Sequence, residues 1–292
     1  HDLELKYGDS GAFVRGKYWY DFEQKDGSQH FYDISDQGRD QAASASGGQI
    51  LDAFIYHNYT VADLPGNVRL GKQVVSWGES TFIPNGINTI NPVDVSALRS
   101  PGSEVKEALV PVPMLYLSQG LTDNLTAHAS YGQSFVLNSG TGRDGSGFAP
   151  EDGKGYEIGL AGTWDGLDLA ATVFDIEKSN ILTTDPVDPN FLAPVGRLTT
   201  RGIELDGALK IDDAWQVVAN YGWTDAKADD SAFATDAVLN VPEHSGSLFV
   251  IGRFPTIHGT TWSFMTGAAY VGDRAGGLAL GAPELPAYWK AK

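Results

Sequence analysis

Apolar and polar residues alternate in steps of two along most of this chain. Val14, Gly16, Tyr18, Tyr20 and Phe22 alternate with Arg15, Lys17, Trp19 and Asp21. Tyr156, Ile158, Leu160 and Trp164 alternate with Glu157, Gly159, Ala161 and Thr163. Ile203, Leu205 and Leu209 alternate with Glu204, Asp206 and Ala208. Trp215, Val217, Ala219, Tyr221 and Trp223 alternate with Gln216, Asn220, Gly222 and Thr224, and Leu248, Val250 and Phe254 continue the pattern less cleanly. A period of two belongs to β-strands, whose successive side chains point to opposite faces. Residues 120–135, GLTDNLTAHASYGQSF, show the unit. Thr122-Asp123-Asn124 is turn chemistry, and Leu125, Ala127, Ala129 and Tyr131 then alternate with Thr126, His128, Ser130 and Gly132.

The connections alternate as well. Short ones carry turn residues, at 62–66, 122–124, 164–166, 211–214 and 255–259. Long polar ones lie between them, near 24–47, 80–112, 136–154, 183–197, 228–243 and 274–285. This rhythm predicts an all-β, antiparallel up-and-down sheet of about twelve strands, with its long loops on one side. Short helices fit inside two loops, at Asp36–Ser46 and Val93–Arg99. No linker interrupts the pattern, so residues 1–292 read as a single domain.

Such strands must face two media. In a transmembrane barrel the apolar side meets lipid and the polar side meets a lumen. In a soluble sandwich or propeller, acting as a binding module, the apolar side would be core. Strands of about 10–14 residues suffice for a tilted membrane span, and aromatics gather near strand ends, as an interfacial girdle requires. The barrel reading assigns Leu125, Ala129, Tyr156, Leu160, Val217, Tyr221, Leu248 and Val250 to lipid, with Val217 near a strand centre. It assigns Thr126, His128, Glu157, Glu204, Gln216 and Asn220 to the lumen. Asp206 and Asp225 are also expected there, where carboxylates favour cations.

Composition narrows the partners. The net charge of −17 argues against nucleic acid, whose phosphates need clustered Lys and Arg. With no Cys there are neither disulfides nor thiolate metal sites. No apolar run is long enough for a transmembrane helix, and His1-Asp2-Leu3 does not open a signal peptide. No residue pattern marks a catalytic, cofactor or metal site. The His residues at 1, 30, 57, 128, 244 and 258 lack metal-binding spacing. Gly142–Gly147 lacks the order of a phosphate loop, and Ser76, Glu79 and Ser80 in SWGES have no partner His. Asp185-Pro186-Val187-Asp188-Pro189-Asn190 reads as a rigid loop rather than a Ca²⁺ loop.

Two long segments carry resemblances. YGQSFVLNSGTGRDGSGFAPEDGKGYEIG, TTDPVDPNFLAPVGRLTTRGIELDGAL with its Arg201-Gly202-Ile203-Glu204-Leu205, VPEHSGSLFVIGRF and LPAYW stand in one order. Together they make residues from about 123 to 292 resemble the late barrel strands of TonB-dependent siderophore receptors. KYGDSGAFVRGKYWYDFE and VRLGKQVVSWGESTFIPNGINTINPVDVSALRSPGSEVKEALVPVPMLYLSQGLTDNL resemble a proteobacterial outer-membrane family of unknown function, over residues 2–124. Leu121–Leu125 fits both, so the chain looks like a composite joined inside that turn.

The resemblance implies a bacterial outer-membrane location, lipid as a partner and a ferric siderophore as a candidate ligand. No plug domain and no TonB-contacting segment is recognisable, so TonB contact and gated uptake by this chain alone are not expected. A passive pore or structural outer-membrane protein is the alternative. Closure into a barrel requires the strand near Leu3–Tyr7 or Ala12–Phe22 to pair with the one near Leu285–Lys290.

Overall fold

Hairpins of long strands build nearly all of the structure, a computed structural model. It describes residues 1–26, 44–75, 90–94, 108–185, 187–188, 190–229, 238–257, 260–277 and 283–292. The strands are β1 (Asp2–Tyr7), β2 (Ser10–Tyr20), β3 (Ser46–Val61), β4 (Leu64–Gln73), β5 (Val112–Gly120), β6 (Leu125–Val136), β7 (Glu151–Trp164) and β8 (Leu167–Thr184). They continue as β9 (Leu192–Lys210), β10 (Trp215–Asp229), β11 (His244–Ile257), β12 (Thr260–Val271), β13 (Arg274–Ala275), β14 (Glu284–Leu285) and β15 (Tyr288–Ala291). The main sheet has 13 strands in chain order from β1 to β12 and then β15, while β13 and β14 pair separately. Every neighbouring pair is antiparallel, and short and long connections alternate down the chain.

Local chemistry explains the tight ends. Between β5 and β6 the Thr122 hydroxyl accepts the Asn124 and Leu125 amides at 3.2 and 3.1 Å. Between β9 and β10 the Asp212 carboxylate accepts the Ala214 and Trp215 amides, both at 2.7 Å. Between β3 and β4 the turn residues Ala62 and Asp63 both have positive φ, 51° and 64°. That geometry matches the twist of the strands but strains residues with a Cβ.

Two local expectations change. Phe22, read as part of the first strand pattern, opens a short helix, α1 (Phe22–Asp26). Asp21 caps it, its carboxylate accepting the Gln24 amide at 3.0 Å. Of the two expected loop helices, 36–43 and 95–99 lie outside the described residues, as do Ser76, Glu79, Ser80, His30 and His258. Ser46 begins β3, and Val93 forms an isolated antiparallel bridge with Leu109 instead of a helix.

The expected closure is not found among the described residues. β1 pairs with β2, and β15 with β12; no pairing joins β1 to β15. Strand direction supplies the reason. With 13 strands and only antiparallel neighbours, the two edge strands point the same way. Joining them would require one parallel pair in an otherwise antiparallel sheet.

The two faces differ in shielding. On one, here the inner face, Met114, Tyr116, His128, Glu157, Phe174, Ile176, Thr200, Glu204 and Thr224 are buried. On the other, Leu115, Leu117, Ile158, Leu160, Val173, Leu205 and Leu248 are exposed. The sheet thus wears its apolar side outward, the inverse of a soluble sandwich. The hydrophobic core is small: Ile90, Val112, Met114, Phe174 and Ile176, with Val75 against it. It lies on the inner face, which is therefore not uniformly polar. The β4–β5 connection brings Ile90 there and covers the apolar side chains beneath it.

Candidate functional site

Register assigns each candidate to a face. Leu125, Leu169 and Leu248 align in one cross-strand row. Ala129, Ile158, Val173 and Ile203 form the next but one, Leu160, Leu205 and Tyr221 the row between, and Val217 pairs with both Leu209 and Val250. Tyr156 lies beside Tyr131, their rings 4.9 Å apart. All eight residues read as lipid-facing therefore stand on the outer face. The six read as lumen-facing stand on the inner one. Thr126 aligns through Ala161, Ala170 and Asp206 with Asn220; His128 aligns through Gly159 and Thr172 with Glu204. Glu157 pairs with Ser130, and Gln216 shares parity with Asn220 along β10.

The outer face has a band structure. From the row of Tyr131 and Tyr156 toward the long connections, ion pairs begin: Arg201 to Asp175 at 2.8 Å in that row and Lys154 to Glu177 at 3.0 Å in the next. Below, Trp164 and Trp215 mark the opposite rim, each 41% exposed. Between them every outward residue of β7 to β10 is apolar or Gly. The strand path from Tyr156 to Trp164 rises about 26 Å at about 3.3 Å per residue. Tilted, it spans somewhat less, comparable to the apolar band of a membrane barrel. Val217, taken as near a strand centre, sits two residues from Trp215 and so near the rim of this band. Leu205 and Leu160 occupy its middle.

Asp225 is a correction. It was expected inside, but it aligns with Arg201, Asp175 and Tyr156 on the outer face, where the Lys227 amine donates to it at 2.9 Å. Its parity matches Tyr221, an outward residue, and it lies in the row of the tyrosine rim, where charge is solvated. Thr224, one residue earlier, is the inward one.

Inside, three zones follow one another. Toward the long connections sits the Ile90 core. At mid-height His128 and Glu157 form a buried pair, Nε2 to Oε1 at 3.2 Å, with side-chain exposures of 0% and 9%. The Ser130 hydroxyl donates to the other Glu157 oxygen at 3.4 Å. Gly159 makes this packing possible, because a Cβ there would collide with the His128 ring and the Thr172 hydroxyl. Glu204, 1% exposed, stands in the His128 row, one row from Glu157. Toward the short turns an open cavity of about 670 Å³ is edged by Asp123, Asp168 and Asp206, with Thr126, Thr163 and Asn220. In the middle and short-turn zones the carboxylates named outnumber the cations, so that stretch of the inner face favours positive charge. Among the described residues no group of three or more His, Asp and Glu is arranged to hold a metal.

Alternation located these faces, but other features left little trace in it. His57 and His244 stand on the outer face, bonded to the Ser10 and Tyr221 hydroxyls at 2.9 and 2.8 Å. Arg15, Phe13, Phe54, Arg69 and Tyr116 form an inner ladder of rings and guanidinium groups 5.3–5.7 Å apart. The rigid-loop reading of 185–190 has a visible cause. One Asp185 oxygen accepts the Val187 and Asp188 amides at 2.7 and 3.1 Å, and the other meets Arg143 at 3.0 Å. These amide donors, chiefly that of Val187, and Arg143 hold the Asp185 carboxyl below the ordinary aspartate value.

Comparison with known proteins agrees with this geometry. Residues 110–291 match the family described as TonB dependent receptor-like, beta-barrel. Residues 1–153 match a family of proteins of unknown function, DUF1302. Over 175 residues the chain is 34% identical to the metal-pseudopaline receptor CntO of Pseudomonas aeruginosa, covering 57% of this chain and 24% of that protein. Over 162 residues it is 32% identical to the ferrichrome outer membrane transporter/phage receptor of Escherichia coli K12, covering 53% of this chain and 21% of that one. The chain thus spans less than a quarter of either relative's length. Among solved structures, the pyoverdine outer membrane receptor FpvA from Pseudomonas aeruginosa PAO1 superposes with a TM-score of 0.56 at 15% identity, over 99% of this chain and 44% of that one. The copper transporter OprC gives 0.55 at 14% identity, over 99% and 46%. At such identities the likeness speaks for the fold. It extends over the first strands as well as the last.

Proposed function

This chain belongs to the TonB dependent receptor-like β-barrel family over residues 110–291 and to DUF1302 over residues 1–153, and from that membership we propose that it forms barrel wall for the passage of metal chelates across the bacterial outer membrane. In this reading Leu125, Ala129, Tyr156, Leu160, Val217, Tyr221, Leu248 and Val250 meet lipid. Thr126, His128, Glu157, Glu204, Gln216 and Asn220 line the passage. Residues 1–292 act as one wall, a composite of two barrel families that meet where the two matches overlap, around the turn at 121–125.

The observation that carries the reading is the contrast between faces: exposed Leu160 and Leu205 outside, buried Glu157 and Glu204 inside. Buried carboxylates are costly unless they are paired or hydrogen-bonded, so two of them on this face favour a role in handling charge. Relatives named for metal-pseudopaline and ferrichrome point to chelated metal as the cargo class. A passive, cation-preferring pore is the second reading, supported by the open, acid-edged cavity at the short-turn end.

Reconstitution into lipid bilayers tests this. Expected are insertion from detergent, preference for K⁺ over Cl⁻ in reversal-potential measurements, and loss of that preference in Glu157→Gln with Glu204→Gln. Saturable quenching of intrinsic tryptophan fluorescence by ferrichrome favours the chelate reading over the passive pore. A chain that folds in water without detergent would overturn both.

A further inference from the structure

Toward the long connections, the inner face is covered by a part of the chain that belongs to none of its strands. Ile90–Asp94 runs beside Ala108–Val110: the Asp94 amide donates to Ala108 and the Val110 amide to Pro92, both at 2.7 Å. The Asn91 side-chain amide donates to the Val110 carbonyl at 3.1 Å, and Val93 bridges Leu109. One end is moored to the sheet, where Lys17 of β2 meets Asp94 at 3.4 Å. At the other end Ile90, 6% exposed, rests on β6 and β7. A Cβ on Gly155 would lie 3.4 Å from Ile90, and one on Gly132 or Gly153 3.5 Å away. Three glycines thus line the seat, and a Cβ on any of them would already stand in van der Waals contact with Ile90.

The seat adjoins the polar zone. Ile90, Ser130, Gly155, Glu157 and Phe174 share the wall of a residual void of about 10 Å³, the size of a single water. A water-filled passage has no use for a dry isoleucine beside its buried carboxylate. We propose that Ile90–Asp94, bridged to Ala108–Val110, is a resident strap that shuts the inner face toward the long connections. Ile90 is its size-determining residue. A solute reaching Glu157 and His128 from that side has to displace Ile90 from the glycine seat. This deepens the passage reading and rests on it.

Thiol accessibility tests the strap, and the chain contains no Cys to interfere. Ser134→Cys places a small thiol at a site 5% exposed, next to Gly153 and so beside Ile90. Thr126→Cys places one on the same face of the same strand at its far end. Each is combined with Ile90→Gly in the lipid-reconstituted protein and treated with a methanethiosulfonate reagent. Removing a buried side chain of this size raises the open fraction at least about tenfold. Modification at 134 should therefore speed up by that factor, while modification at 126 stays unchanged.

An unchanged rate at 134 overturns the strap. Equal acceleration at both positions also overturns it, because Ile90 would then merely support the whole sheet. For a variant that folds poorly, Ile90→Cys with Gly155→Cys gives a second route. Oxidation should protect the His128 ring from diethyl pyrocarbonate and reduction should release it; equal reactivity in both states overturns the strap. Neither readout depends on ion preference, so failure of the strap and failure of the passage reading are separately visible.

Discussion

Leu205 and Glu204 are chain neighbours with opposite surroundings: Leu205 is 43% exposed on the apolar band, and Glu204 is 1% exposed inside. The same substitution should therefore have different costs at neighbouring positions. Leu205→Arg, in the middle of the band, is expected to destabilise the lipid-folded protein by about 2–4 kcal/mol, and Val217→Arg, near the tryptophan rim, by about 0–1 kcal/mol. Asn220→Arg, pointing inward toward Asp206, should have little effect. Reversible folding between urea and lipid vesicles measures all three. Equal losses would show that lipid does not surround the outer face.

Turns and loops have their own chemistry. Ala62 and Asp63 hold the β3–β4 hairpin with φ of 51° and 64°. Replacing them by Asn-Gly should relieve strain and stabilise by about 0.5–1 kcal/mol, read as a higher urea midpoint at unchanged slope. The β8–β9 connection is a pH-dependent element. Its Asp185 carboxyl is held below the ordinary value by the amides it accepts and by Arg143. A carboxyl lowered in the folded state contributes stability above the unfolded value, about 3.9, and loses it as pH falls through the lower folded value. Amide exchange at Val187 and Asp188, corrected for its intrinsic pH dependence, should therefore accelerate below about pH 3.9. Asp185→Asn should show the faster exchange already at neutral pH.

The edges govern assembly. β1 and β15 run parallel, so an all-antiparallel barrel containing this sheet needs an odd number of strands between them. Direct closure would also give a narrower ring than the full sheets of larger barrels. Leu5→Cys with Trp289→Cys should form no intramolecular disulfide on oxidation in lipid. A quantitative crosslink there would prove a parallel seam and remove the need for further strands.

Much of this architecture was legible from residue order. Period-two alternation with short and long connections gave the sheet, the strand order and the sorting of each strand's side chains into two sets, because a strand has only two faces and hairpins leave neighbours no choice of partner. Asp225 shows the limit of reading charge instead of parity: the same alternation put it outside, but its carboxylate suggested a lumen. Other features arise from approaches between residues distant in sequence, which alternation does not encode. Ile90 reaches glycines more than forty positions away, His128 finds Glu157 across a hairpin, and the edges stay apart because strand count and direction act on the sheet as a unit. Local pattern therefore set which way each side chain points, while packing across the sheet settled what it meets there.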